Sequence, residues 1–252
     1  MLLVLCAFLL LLVIGMPVAF AIGISGTLFF IQNLNLPFTI PIQLAVSQTQ
    51  NFALLAVPLF IFAGNLLNGS GITCRLLDLA NVLVGHMRGS LAQVNVILST
   101  LMGGVSGSCI ADAAMEARML GPEMIRRGYS KGYTCSVNVW TAVITPIIPP
   151  GIGFILYGTL GQVSIGRLFA GGLVPGIVLT IVYMAAVSYD AKRKGFEPGR
   201  KGLPTVPEVA KAMAHSIWAI VFPFALLFGL RVGVFTPSEI GAFAVVYAVL
   251  VG

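Results

Sequence analysis

Two breaks in long apolar stretches hold the residues whose types and spacing suit chemistry. The first, Gly103-Gly104-Val105-Ser106-Gly107-Ser108, interrupts the stretch 90–115 near its middle. The second, Thr145-Pro146-Ile147-Ile148-Pro149-Pro150-Gly151-Ile152-Gly153, places three prolines and two glycines in nine residues of the stretch 133–160. Proline lacks an N–H and clashes with the preceding turn, and glycine weakens helix, so neither run continues a regular helix. Within a membrane such backbone is tolerated only against protein or a water-filled cavity. Its freed carbonyls and hydroxyls suit a hard cation such as Na⁺, while half-helix N-termini attract an anionic substrate. One break of this kind is more often a kink. Two, spaced like this, are how secondary transporters assemble a site near the membrane midplane.

The polar residues beside the breaks allow two readings each. Asp112 follows the first break; an acid inside the membrane is a functional candidate, and it can equally cap the outgoing half-helix. Asn138 and Thr141 precede the second break and offer oxygen ligands, although Asn138 also suits an interhelical hydrogen bond. Glu116 and Glu123 flank the basic group Arg118, Arg126, Arg127 and Lys131, and are expected in surface ion pairs of small value. His86 and His215 stand at segment ends in structural roles, and Arg231 is expected to snorkel. The four cysteines (Cys6, Cys74, Cys109, Cys135) form no CxxC pair. They read as small buried hydrophobes, with no disulfide or metal framework.

The elements that position these residues must lie in a bilayer. Of 252 residues, 58% are hydrophobic and 9% charged, and the mean hydropathy is +1.01. Twenty-two charged side chains cannot cover a soluble domain of this size. The net charge of +6 sits in short connections between apolar runs, as in cytoplasmic loops. No basic surface interleaved with aromatics is present, which excludes nucleic-acid binding. The segment 1–15 lacks the positive start of a signal peptide and is read as retained. Apolar segments fall at about 1–32, 52–67, 90–115, 133–160, 166–189, 214–234 and 239–252. The first is broken at Gly15-Met16-Pro17, leaving one kinked helix or two shorter ones. The stretch 37–51 is mildly amphipathic and suits an interfacial arm.

Lysine and arginine set the orientation. The cluster Lys192, Arg193, Lys194, Arg200, Lys201 and Lys211 places the connection 190–213 in the cytoplasm, and the group 118–131 belongs there too. Two spans, 133–160 and 166–189, separate them, as that rule requires. Arg88 on the same side makes 90–115 enter and leave by one face. Its halves reach roughly 18 Å each, short of a crossing. This predicts a re-entrant helical hairpin with its glycine-rich tip near mid-membrane; a single span with a weakened centre is the alternative.

Several stretches together point to a family: Gly15 to Ala21 (GMPVAFA), Pro58 to Ile72 (PLFIFAGNLLNGSGI), Gly103 to Met115 (GGVSGSCIADAAM), Thr145 to Gly158 (TPIIPPGIGFILYG) and Val234 to Ala248 (VFTPSEIGAFAVVYA). In this order they resemble the large membrane (M) subunit of tripartite ATP-independent periplasmic (TRAP) transporters, DctM-like and C-terminally truncated. The resemblance implies an all-α polytopic membrane protein with an elevator fold of the ion-transporter superfamily, built from two inverted repeats. It implies sodium-coupled symport of an organic acid, such as a C4-dicarboxylate or sugar acid, across the bacterial inner membrane. It implies no enzyme chemistry and no cofactor beyond the coupling ion. The implied partners are a small DctQ-like membrane subunit and a DctP-like periplasmic substrate-binding protein. The implied sodium ligands are Ser106, Gly107, Ser108, Thr145, Pro149, Pro150 and Gly151; substrate would meet Ser106, Asp112, Asn138 and Thr141. Gly151 stands where many relatives carry Ser, so backbone or water would replace that hydroxyl.

The expected organisation is 1–89 as scaffold helices and interfacial arm, and 90–189 as half a transport domain. That half comprises the hairpin (90–117), the broken helix (133–160) and a following span (166–189). The cytoplasmic basic loop is 190–213, and 214–252 opens a second repeat. Thr236-Pro237 followed by Ala242-Phe243-Ala244 weakly echoes Pro17 to Ala21, and Gly252 ends within an apolar segment. A rival from another class is an intramembrane serine protease, since Gly104-Val105-Ser106-Gly107 matches GxSG with Ser106 as nucleophile. It lacks a histidine base at the right depth.

Overall fold

The structure, a computed structural model, describes residues 1–33, 35–37, 39–200 and 202–251. Phe38 of the amphipathic stretch, Lys201 of the basic cluster and the terminal Gly252 lie outside the described residues. The described residues are overwhelmingly helical and fall into two compact units, Met1–Asn51 and Phe52–Gly252.

In the first unit, α1 (Leu2–Val13) and α2 (Val18–Gln32) pack against each other, and α3 (Ile40–Thr49) follows. The break at Gly15-Met16-Pro17 yields two helices rather than one kinked one. Gly15 takes φ +86°, its N–H donates to the Leu12 carbonyl, and the Met16 N–H donates to that of Leu11. This is a Schellman ending, which a glycine in the left-handed region allows. Pro17 then precedes α2, where a missing N–H does no harm.

The second unit starts with a 3₁₀ turn running into α4 (Ala56–Gly69), followed by α5 (Ile72–Val84). Helix α5 falls between the apolar segments read from sequence, because Arg75 and Asp78 interrupt its hydropathy. Its buried residues Ile72, Leu76, Leu79, Ala80 and Val84 nevertheless recur at helical spacing. Then come α6 (Ser90–Gly103), α7 (Cys109–Met119) and α8 (Gly121–Arg126), the pair α9 (Lys131–Thr141) and α10 (Ile152–Leu160), and the long α11 (Ile165–Lys194). The unit closes with α12 (Val206–His215), α13 (Ile217–Arg231) and α14 (Pro237–Val251). Helix α14 lies along α4, where a Cβ on Gly241 would meet Leu59 at 3.1 Å and Ala56 at 3.3 Å. Small residues permit that approach.

Two helical stretches, Phe52–Gly69 and Ile165–Lys194, are long and apolar enough to cross a membrane. Helix α11, at 30 residues, is about 45 Å long, enough to cross a core of about 30 Å with its basic last turn to spare. The segment 214–234 is not one straight span: α12 and α13 meet at Ser216 with a 64° bend. At the bend, Ser216 Oγ donates to the Arg75 carbonyl at 2.9 Å. The basic connection is also more ordered than a plain loop. It contains α12, begun by a capping interaction in which the Thr205 N–H donates to the Glu208 carboxylate at 3.2 Å.

One end of this unit gathers the basic connections. The Arg200 N–H donates to the Gly85 carbonyl at 3.1 Å, and Arg88 pairs with Pro198 in an isolated bridge. At Gly199 a Cβ would meet Ser90 Oγ at 2.6 Å and an Arg127 Nη at 2.8 Å. The start of α6 and the end of α8 therefore lie at the same end of the unit.

Candidate functional site

Helix α6 is buried along almost its whole length, and its polar residues tie it to three neighbours. Gln93 Nε2 donates to the Met184 carbonyl at 2.9 Å and to Ser188 Oγ at 2.8 Å. Thr100 Oγ1 lies 2.8 Å from Thr180 Oγ1. These bonds fasten α6 to α11. Asn95 and Ser99, a turn apart on α6, serve α7 and α9 instead.

The chain leaves α6 at Gly104 and re-enters helix at Cys109, where Ser108 Oγ accepts from the Ala111 N–H at 3.4 Å as an N-cap. Between them, Val105 and Ser106 are buried and Gly107 takes φ +58°. A Cβ on Gly107 would collide with the Pro150 carbonyl oxygen, and one on Gly64 of α4 would sit 3.2 Å from Ser106 Cα. The tip is thus pressed against α4 and against the second break. Residues 142–151 run outside α-helix between α9 and α10, with a cis bond between Pro149 and Pro150. Gly151 follows because a side chain there would strike the Pro146 carbonyl. Helix α11 covers the outside: Cβ atoms on Gly172 and Gly176 would lie 2.6 Å from the Ile147 carbonyl and from Ile148 respectively.

One turn into α7 the site changes character. Asp112 is 1% exposed and Glu116 0%, and spacing by four puts both on one face of the helix. Thr145 Oγ1 donates to Asp112 Oδ2 at 2.5 Å and also lies 3.3 Å from the Ser99 carbonyl. Ser99 Oγ donates to Glu116 Oε1 at 2.6 Å, and Thr141 Oγ1 lies 3.3 Å from Oε2. The Asn95 amide is satisfied when its nitrogen faces Glu116, donating at 3.0 and 3.1 Å, with its oxygen 2.6 Å from the Asn138 side chain. Among the described residues, neither carboxylate is in an ion pair.

The sequence that forms these elements matches a known protein family. Its model, the tripartite ATP-independent periplasmic transporter, DctM component, matches residues 5–252. The chain belongs to the DctM family. Over 238 residues it is 34% identical to the 2,3-diketo-L-gulonate TRAP transporter large permease protein YiaN of Escherichia coli, covering 94% of this chain and 56% of that one. It is 32% identical over 238 residues to the sialic acid TRAP transporter large permease protein SiaM of Vibrio cholerae, covering 94% and 55%. The sialic acid TRAP transporter permease protein SiaT of Haemophilus influenzae is 32% identical over 248 residues, covering 98% and 40%. The chain spans about half the length of the first two of these relatives, and less of the third.

In this DctM chain the residues singled out in the sequence separate into two neighbouring groups. Gly107, Pro150 and Gly151 come together through backbone; Ser106 Oγ turns to its own Met102 carbonyl at 3.4 Å, and Ser108 is engaged as a cap. Thr145 faces Asp112 rather than the tip. Asn138 and Thr141 join Glu116, through Asn95 and directly. Glu123 forms the expected surface pairs, with Arg126 at 2.6 Å and Arg127 at 3.0 Å. Glu116 does not, and its surface assignment is corrected here: the helical turn that carries it faces α6 and α9, not the basic cluster. The cysteines are corrected too, since all four are exposed on the protein's own surface, where lipid contact suits an apolar thiol as well as burial does. Sequence reasoning missed Asn95, Ser99 and Glu116. Their signal was spacing: two polar residues at i, i+4 in an apolar helix, and an acid four after Asp112. Among the described residues no histidine contacts Ser106, so the protease reading gains no support.

Proposed function

We propose that this chain is part of the large permease subunit of a TRAP system, carrying out sodium-coupled symport of an organic acid across the bacterial inner membrane. The observation that carries this reading is the seating of the glycine tip at 104–108 against the Pro150 carbonyl in the second break. Two stretches of non-helical backbone meeting inside an apolar protein favour a hard cation, because both offer oxygen and neither offers nitrogen or sulfur ligands. Ser106, Gly107, Ser108, Pro149, Pro150 and Gly151 would hold Na⁺, with Thr145 contributing its carbonyl rather than its hydroxyl. An anionic substrate would bind beside the tip, near Ser106 and the start of α7, where the helix N-terminus favours negative charge. Asp112, Asn138 and Thr141 would line the adjoining polar cluster.

The common end shared by the start of α6 and the end of α8 supports a re-entrant hairpin, and a hairpin paired with a broken helix supports an elevator-type mechanism. The named relatives carry diketogulonate and sialic acid, which favours a sugar acid over a C4-dicarboxylate here. Family membership supports a small membrane subunit and a periplasmic substrate-binding protein as partners. Coupling then needs only that ion and substrate bind the inward- and outward-facing states unequally.

The test is uptake of labelled organic acids into proteoliposomes holding the full-length permease, its small subunit and its binding protein. Uptake that requires Na⁺ and collapses in the Ser106→Ala/Ser108→Ala double variant is the expected result. Uptake indifferent to Na⁺ would overturn the coupling.

A further inference from the structure

The two carboxylates of α7 are not explained by the tip site. Asp112 and Glu116 are each almost fully enclosed, four residues apart, with no basic partner among the described residues. Asp112 Oδ1 is buried and accepts no hydrogen bond. Among the described residues, the side chains that hydrogen-bond the pair (Asn95, Ser99, Thr141, Thr145) are all neutral. Burying one uncompensated carboxylate is costly, and a second like charge one turn away adds repulsion. A positive charge between them relieves both effects. The atoms on hand to hold it are oxygens: the free Asp112 Oδ1, the Glu116 carboxylate, the Ser99 carbonyl and the Thr141 and Thr145 hydroxyls. That set suits a hard cation and offers nothing to a soft one.

We propose that Asp112 and Glu116, with Ser99, Thr141 and Thr145, form a second cation site, distinct from the one at the hairpin tip. Its ligands come from α6, α7, α9 and the first residue of the second break, so an ion here joins the hairpin to the broken helix below the tip. Thr145 links the two sites: its hydroxyl meets Asp112 while its carbonyl lies beside Gly103, where a Cβ would come within 3.1 Å of it. Filling the carboxylate site therefore fixes the backbone on which the tip rests. The inference builds on the transporter reading for its consequence, but binding can be measured without transport.

The experiment counts ²²Na⁺ bound to the purified full-length permease with its small subunit, in N-methylglucamine buffer at fixed ionic strength, with K⁺ and Mg²⁺ as competitors. Glu116→Gln and Asp112→Asn should each lose one ion relative to the natural protein, while Ser106→Ala/Ser108→Ala keeps that ion and loses another. Glu116→Asp, which retains the charge, should keep the full number with affinity reduced about tenfold, and serves if Glu116→Gln does not fold. Displacement by K⁺ or Mg²⁺ alone, with the same loss in the carboxylate variants, would support the site and change only its ion. An unchanged ion count in both Glu116→Gln and Asp112→Asn would overturn it, leaving the pair neutralised by protons. Loss confined to the carboxylate variants would sustain this site while removing the one proposed at the tip.

Discussion

Gly107 and Thr145 show how little tolerance the site has for single substitutions. Gly107 combines a left-handed φ with contact against the Pro150 carbonyl, so Gly107→Ala meets both backbone strain and a collision. We expect a loss of about 1–3 kcal/mol in stability, and a fall in uptake of at least roughly tenfold because the tip is displaced. Thr145→Val removes the hydrogen bond to a buried carboxylate without changing size. The expected cost is about 1–3 kcal/mol, read as a lower melting temperature of the full-length protein, with Thr145→Ser restoring most of it. A Thr145→Val protein as stable as the natural one would mean that the bond is replaced by water.

The helices position these residues through close approach as much as through apolar bulk. Helix α11 can cover the second break because Gly172 and Gly176, a GxxxG pair, present no side chain to Ile147 and Ile148. Gly176→Leu should separate α11 from the break and lower both melting temperature and uptake, whereas Gly171→Ala, which faces open space, should change neither. A different control operates at the start of α12. The Arg200 guanidinium, 2.6 Å from Glu208, together with the Thr205 N–H, holds the Glu208 carboxyl below its usual value. Because the folded-state value is depressed, this support of the helix is present above the ordinary glutamate pKa of 4.5. It fades as pH falls through the lower folded-state value. Amide exchange corrected for intrinsic rates should show protection of 206–209 falling in acid, and Glu208→Gln should remove that pH dependence. The contribution is small, because the pair lies at the surface.

For the whole molecule, topology is the feature with the sharpest test. If α6, α7 and α8 form a re-entrant unit, Arg88→Cys and Arg127→Cys in an otherwise cysteine-free full-length protein should both be labelled by an impermeant thiol reagent from the cytoplasmic face. Labelling of the two from opposite faces would make 90–115 a single crossing and remove the hairpin. Much of this arrangement was legible from residue types alone. Apolar runs of membrane length, proline and glycine at two breaks, and the placement of lysine and arginine are local properties. They define segments, their interruptions and their expected side without any contact between them, and the order of the motifs identifies the family. What sequence could not show was partnership. Glu116 looked like a surface residue because its chain neighbours are basic, yet the turn of α7 aims it at Ser99, Asn95 and Thr141, which lie 17 to 25 positions away. Thr145 looked like a tip ligand, and the bend of the broken helix turns its hydroxyl to Asp112. Helix α5 was hidden because Arg75 and Asp78 interrupt its hydropathy, and the bend at Ser216 because the carbonyl its hydroxyl meets, that of Arg75, lies 141 positions away. Local chemistry determined where the chain must break; only packing decided which oxygens and which charges face each other there.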